Sequence, residues 1–246
     1  MEVIFIKYLF YSQICKIKNG NVFAGDMNPL EELERAKESA KKTRDAIEQG
    51  KPMTLNREGT MLSKNDENNN SLTRHNVSEI KEGNKFAIQW YEKEKKLYEF
   101  EYNEMKKAFP QAELSVLKDD RICWNITFNG ILDANGNKHA WSFMLIYDSD
   151  HPHNRDFGGS IKVYPIKPSM DNLYSMASKA GRPPFTHVWK DAFNNPILCT
   201  APKTQVQANE RKSLSAITVA SWTASWATHF QLGLTDSRVW AKFNEH

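Results

Sequence analysis

The chain has 246 residues, 40% apolar and 26% charged, and its 33 basic and 30 acidic residues leave a net charge of +3. Eleven glycines, ten prolines and three cysteines exclude collagen-like, low-complexity and disulfide-scaffold chains, and no run of about 18 apolar residues predicts a helix crossing a membrane. A charge balance this even supplies no global field for a polyanion, so neither nucleic acid nor membrane is expected as a partner.

A mean hydropathy of -0.65 points to a substantial exposed polar segment. Cys15, Cys123 and Cys199 stand far apart, without the close pairing of metal ligands, so no metal and no cofactor is expected. An odd cysteine count fits a reducing compartment. Glu2 and Lys7 interrupt the apolar start Met1–Phe10, which lacks the basic and long apolar stretches of a signal peptide, leaving the cytosol as the expected location.

Residues 1–26 read either as a short strand pair or as an extension that folds poorly. Residues 27–50 carry six acidic and five basic side chains, with Asn28-Pro29 as a helix start and Gly50 followed by Pro52 as a stop. Glu31 with Arg35 and Glu38 with Lys42 are attractive pairs one turn apart, and Glu34 with Glu38 is a repulsive one. Leu30, Leu33, Ala36, Ala40 and Ile47 form a thin apolar stripe, which predicts a solvated, weakly packed helix; a partner-binding helix is the sharper alternative. Residues 51–84, with Asn65-Asp66-Glu67-Asn68-Asn69-Asn70 inside them, read as a polar linker.

The texture changes in the remaining segment, 85–246. Tyr91, Tyr98, Tyr102, Met105 and Phe109 mark one face of a helix ended by Pro110. Lys93, Lys96, Lys106 and Lys107 lie off that face, and Lys95 nearer to it. Strands are expected at Leu114–Leu117, at Ile122–Phe128 by strict alternation, at His139–Tyr147 after the Asn135-Gly136 turn, and at Ile161–Tyr164, stopped by Pro165. Residues 168–212, punctuated by six prolines and glycines, read as one long irregular stretch of the kind that carries function. Val219, Trp222, Trp226 and Phe230 then mark a helix with Ser213 as N-cap and Gly233 as C-cap. The fold class is α+β, with helices over one face of a four-stranded antiparallel meander.

Cys123 sits on a strand, where a cysteine packs. Cys199 instead follows the irregular string Asn194-Asn195-Pro196-Ile197-Leu198, ahead of a long helix. Its plain reading is a packed thiol and its sharper one a nucleophile.

The order helix, four-strand meander, long loop with a late cysteine, then helix resembles the ubiquitin-conjugating enzymes over roughly residues 86–240. His139–Tyr147 followed by His151-Pro152 looks like the family's third strand and its turn, and Ser160–Pro165 like its fourth. Ile197-Leu198-Cys199 is similar to the approach to its active cysteine. The tryptophan-rich end is more like bacterial members, whose operons serve phage defence. The family's His-Pro-Asn triplet is not intact: His187 is followed by Val188-Trp189, and Asp191 stands where the asparagine belongs. The resemblance implies transthiolation, in which Cys199 accepts the C-terminus of a ubiquitin-like protein from an activating enzyme and passes it to an amine on a target protein. Asn195, or else Asn194, would stabilise the oxyanion, and Asp191 would orient or deprotonate the amine. The plain readings beside these are a turn for the two asparagines, a solvated acid for Asp191 and a surface or structural histidine for His187. An inactive member of the fold serving as a binding module, and a cysteine hydrolase with His229 as base, are the competing functions. Any zinc deaminase is excluded by the missing HxE and paired cysteines.

Overall fold

The computed structural model describes residues 28–48, 53–55, 61–63, 87–153, 159–191, 194–201 and 215–245. The readings made for residues 1–26, most of 51–84 and Ser213 lie outside these. The described residues are α+β.

Asn28 opens helix α1 (Pro29–Glu48) as the sequence pattern predicts, its Oδ1 accepting from the Leu30 amide at 3.1 Å. The helix is not a weakly packed appendage. Leu33 is buried in the main core, with Ala36 and Ala40 against it. Polar contacts complete the docking. The Tyr98 hydroxyl donates to the Pro29 carbonyl at 2.9 Å, the Tyr102 hydroxyl donates to the Glu32 carboxylate, and Lys106 pairs with Glu32 at 3.2 Å. The thin stripe misleads because the phenols that hold this helix belong to a different element. The expected linker also contains a small hairpin, β1 (Met53–Leu55) with β2 (Met61–Ser63).

The tyrosine-marked helix breaks in two at Glu94, giving α2 (Trp90–Lys93) and α3 (Lys95–Ala108). Tyr91, Tyr98, Tyr102 and Met105 are buried as the periodicity requires. Strands β3 (Glu113–Val116), β4 (Ile122–Leu132), β5 (Lys138–Tyr147) and β6 (Ile161–Lys167) form the antiparallel meander in the order β3-β4-β5-β6. Pro165 does not stop β6. It sits on an edge strand opposite Phe143, where the register shifts, and there a missing N–H costs no ladder bond. Alternation divides the sheet's side chains. Trp124, Ile126, Phe143, Leu145, Tyr147 and Val163 enter the main core, whereas Cys123, Met144, Ile146 and Tyr164 form a second cluster with Ile197.

Residues 168–212 are not uniformly irregular. Helix α4 (Met170–Lys179) has Ser169 as N-cap, Leu173 and Ala177 on its buried side, and Gly181 at φ +66° as its end. There Arg182 N–H returns to the Ala177 carbonyl and Gly181 N–H to Ser178, as in a Schellman motif. A hairpin follows, β7 (Val188–Lys190) with β8 (Pro196–Leu198).

The closing helices are α5 (Ala216–Gly233) and α6 (Ser237–Asn244). Ser215 caps α5, its hydroxyl accepting from the Thr218 amide. Phe230 is fully buried among Trp226, Trp141, Phe185 and Trp240, with ring centroids 5.3–5.6 Å away. Gly233 is the last helical residue rather than the cap, and close packing explains it. A Cβ there would stand 2.9 Å from the Trp240 ring and 3.3 Å from its Cα. Gly233→Ala is therefore expected to cost about 1–3 kcal/mol in urea unfolding by forcing α6 outward, outweighing the helix propensity that alanine adds.

Candidate functional site

The hairpin β7–β8 lies beside β6 and carries the late cysteine at its open end. Val188 pairs with Leu198, Trp189 with Ile197 and Lys190 with Pro196. One step beyond the last pair, the Cys199 amide donates to the His187 carbonyl at 3.0 Å. Cys199 lines a small cleft with Lys162, Val163, Trp189, Val219 and Trp222. It retains 9% of its surface, against none for Cys123. Both cysteines are free thiols. Burial pushes the Cys199 thiol up to about 11. Cys123 is pushed up to about 12, again by burial, with Arg121 opposing.

The other expected site residues are not gathered at this sulfur. Asp191, Asn194 and Asn195 form the turn at the opposite end of the hairpin. Asp191 and Asn195 each stand four residues along an extended strand from the His187–Cys199 step, roughly 13 Å away at the usual strand rise. The Asn195 side-chain amide donates to Asp191 Oδ2 at 2.8 Å, and its backbone N–H donates to Oδ1 at 2.8 Å. The Tyr164 hydroxyl adds a third bond to Oδ2 at 2.6 Å. Asn194 is exposed at φ +68°, a conformation that asparagine tolerates in tight turns. The geometry thus fits neither an oxyanion donor at Asn194 or Asn195 nor an amine-orienting acid at Asp191. His187 meets Cys199 through its backbone, and its buried ring packs on Phe243 of α6 at 4.8 Å. His229 lies seven residues beyond Trp222 on α5, about 10 Å along the axis, with Nδ1 donating to the Ser225 carbonyl at 2.7 Å.

Two residues for which the sequence suggested no role at the site, Trp189 and Trp222, line the same cleft as Cys199. Trp222 shares the apolar stripe of α5, yet it is only half-buried where Trp226 and Phe230 are buried, because it faces the cleft. Trp189 is likewise half-buried on the hairpin. Helical periodicity places Trp222 on that side of α5; nothing in the sequence shows that a cysteine is across from it.

The chain matches no family model, no curated protein and no solved structure. Among the described residues no helix is long and apolar enough to cross a membrane, and no three His, Cys, Asp or Glu side chains are grouped to hold a metal ion.

The cleft has a direct chemical consequence. Only the thiolate alkylates, so iodoacetamide should modify Cys199 about tenfold faster for each pH unit from 7 to 10 and level off only near pH 11. Cys123 should stay unmodified in the folded chain. Peptide mapping after timed quenching checks both; a plateau at pH 8–9 would show a thiol more open than the cleft allows.

Proposed function

We propose that the chain has a ubiquitin-conjugating-type fold and carries an acyl group on Cys199. One observation supports this most: the order helix, four-strand meander, short helix, cysteine-bearing hairpin and closing helices places Cys199, largely buried but with 9% of its surface retained, on a small cleft shared with two half-buried tryptophans. In this reading a ubiquitin-like protein arrives as a thioester on an activating enzyme. The Cys199 sulfur gives up its proton and attacks the carbonyl carbon. The bond to the donor sulfur breaks, and the donor leaves as a thiol after taking up a proton. A target amine then attacks the new thioester, forms an amide, loses a proton and returns Cys199 as a thiol. The thioester supplies the driving force, so no strong general base is required.

The test is a mixture of the protein, ATP, an activating enzyme and its ubiquitin-like protein, run on a non-reducing gel. The expected result is a shifted band that disappears with thiol reductant. A second reading, an inactive member of the fold serving as a binding module, is favoured by the raised Cys199 thiol and by the distance of the asparagines from it. Partner binding without any adduct would select it. The hydrolase reading loses its base, since His229 stands seven residues along α5 from the cleft residue Trp222, about 10 Å down the helix axis.

A further inference from the structure

We propose that Asp191 is a positioning residue: its carboxylate ties the turn of the β7–β8 hairpin to Tyr164 on β6, and so fixes where the hairpin holds the Cys199 sulfur. The proposal rests on the reading of Cys199 as the acyl acceptor for its functional meaning, but its geometry stands apart from that reading.

The hairpin has little stability of its own. Each strand has three residues, and an isolated two-stranded ribbon is marginal in water. Lys190 and Pro196, the rung nearest the turn, face each other as a non-hydrogen-bonded pair, because the bonded steps are 187 with 199 and 191 with 195. The Asp191 backbone and side chain supply bonds at that level. Its N–H donates to the Asn195 carbonyl at 3.0 Å, and its carbonyl accepts from Asn194 N–H at 2.9 Å. Its carboxylate takes the Asn195 backbone N–H on Oδ1 and the Asn195 amide on Oδ2, both at 2.8 Å. These bonds close the turn. The Tyr164 hydroxyl, on Oδ2 at 2.6 Å, does something different: it joins the turn to a buried residue of the main sheet. Ile197, packed with Cys123, Met144 and Ile146, holds the middle of the hairpin. From the turn, three paired steps and the bond from Cys199 N–H to His187 lead to the sulfur. Loss of the carboxylate would fray the ladder from the turn inward and let the sulfur leave its cleft.

The experiment compares the full-length wild type with Asp191→Ala, Asp191→Asn and Tyr164→Phe by site-resolved iodoacetamide labelling across pH and at low urea. Asp191→Ala should alkylate Cys199 at least tenfold faster at pH 8. Its pH midpoint should fall from about 11 towards that of an ordinary thiol. Tyr164→Phe should give at least threefold. Asp191→Asn should recover most of the protection, because one amide oxygen can keep both bonds now made to Oδ2. The acceleration should not depend on urea below the unfolding transition, as expected for local release. A wild-type rate and pH profile in Asp191→Ala would overturn the proposal. So would an acceleration that grows with urea alongside that of Cys123, since that marks global loosening. If Asp191→Ala does not fold, Tyr164→Phe decides alone, and a wild-type rate in it overturns the proposal. The absence of any acyl adduct, in wild type and variants alike, would defeat the acyl-carrier reading and leave the labelling result intact.

Discussion

Replacing Cys199 with alanine should eliminate the thiol-sensitive adduct completely while leaving a folded protein. No other described thiol can take its place, because Cys123 is sealed between Met144, Ile146, Tyr164 and Ile197. The structural cost should be small, about 1 kcal/mol, since one sulfur is removed from a site that retains some exposure. Cys199→Ser tests the chemistry more closely. An oxygen nucleophile forms an ester, so any adduct should form slowly, survive thiol reductant and yield to mild alkali. The raised thiol also gives a sign to the pH dependence. With a midpoint of about 11, far fewer than one Cys199 in a hundred is ionised at neutral pH. Loading measured in a single turnover should therefore accelerate with pH up to the limit set by the partner enzyme. Cys123→Ala should do the reverse of Cys199→Ala, lowering stability by about 1–2 kcal/mol through the cavity it leaves while adduct formation continues. Conjugation retained in Cys199→Ala would remove the site assignment.

Much of this arrangement is legible in the chain itself. The four strands of the meander show in the alternation of Ile122, Trp124, Ile126 and Phe128 and of Trp141, Phe143, Leu145 and Tyr147, because one face of each strand must enter the core. The α3 and α5 stripes show for the same reason, at helical spacing. Helix α4 does not, because six prolines and glycines in residues 168–212 conceal a ten-residue segment whose buried side is only Leu173 and Ala177. Docking of α1 is invisible in its own composition, since the partners that hold Glu32 and Pro29 are hydroxyls seventy residues away. The site divides in the same manner. Cys199 stands out by its context. Asn195 and Asp191 look like its neighbours because they are close in sequence, but an extended hairpin carries near residues apart: the turn claims one end and the cysteine the other. Spacing to the cysteine locates a donor only when the connecting backbone is known.

Acid should destabilise the protein through His151, by about 3 kcal/mol between pH 7 and pH 4. The side chain is 2% exposed, with its ring between Trp90 at 4.6 Å and Tyr147 at 4.9 Å. Nδ1 meets the Ser160 hydroxyl at 2.8 Å, and the buried Nε2 has no hydrogen-bond partner among the described residues. A second proton would place a cation among aromatic rings, and burial accordingly lowers the group from 6.5 to about 4, with His153 adding to the shift. Between those values the unfolded chain binds the proton and the folded one does not. Stability is therefore whole above pH 6.5 and falls as pH drops towards 4, by about 1.4 kcal/mol per unit. Glu101 and Asp148 act in the opposite sense. Burial raises both carboxyls, Asp148 to about 6, so the folded state takes up their protons first and gains stability on acidification. The whole-protein slope mixes these contributions, and a difference between variants separates them. His151→Phe keeps a ring in the cage and removes the titration, so urea midpoints followed by tryptophan fluorescence should show the variant gaining on wild type by about 3 kcal/mol from pH 7 to pH 4. Parallel curves would mean that the imidazole takes up its proton inside the folded protein, and the aromatic cage around His151 would then have to open well before the rest of the core.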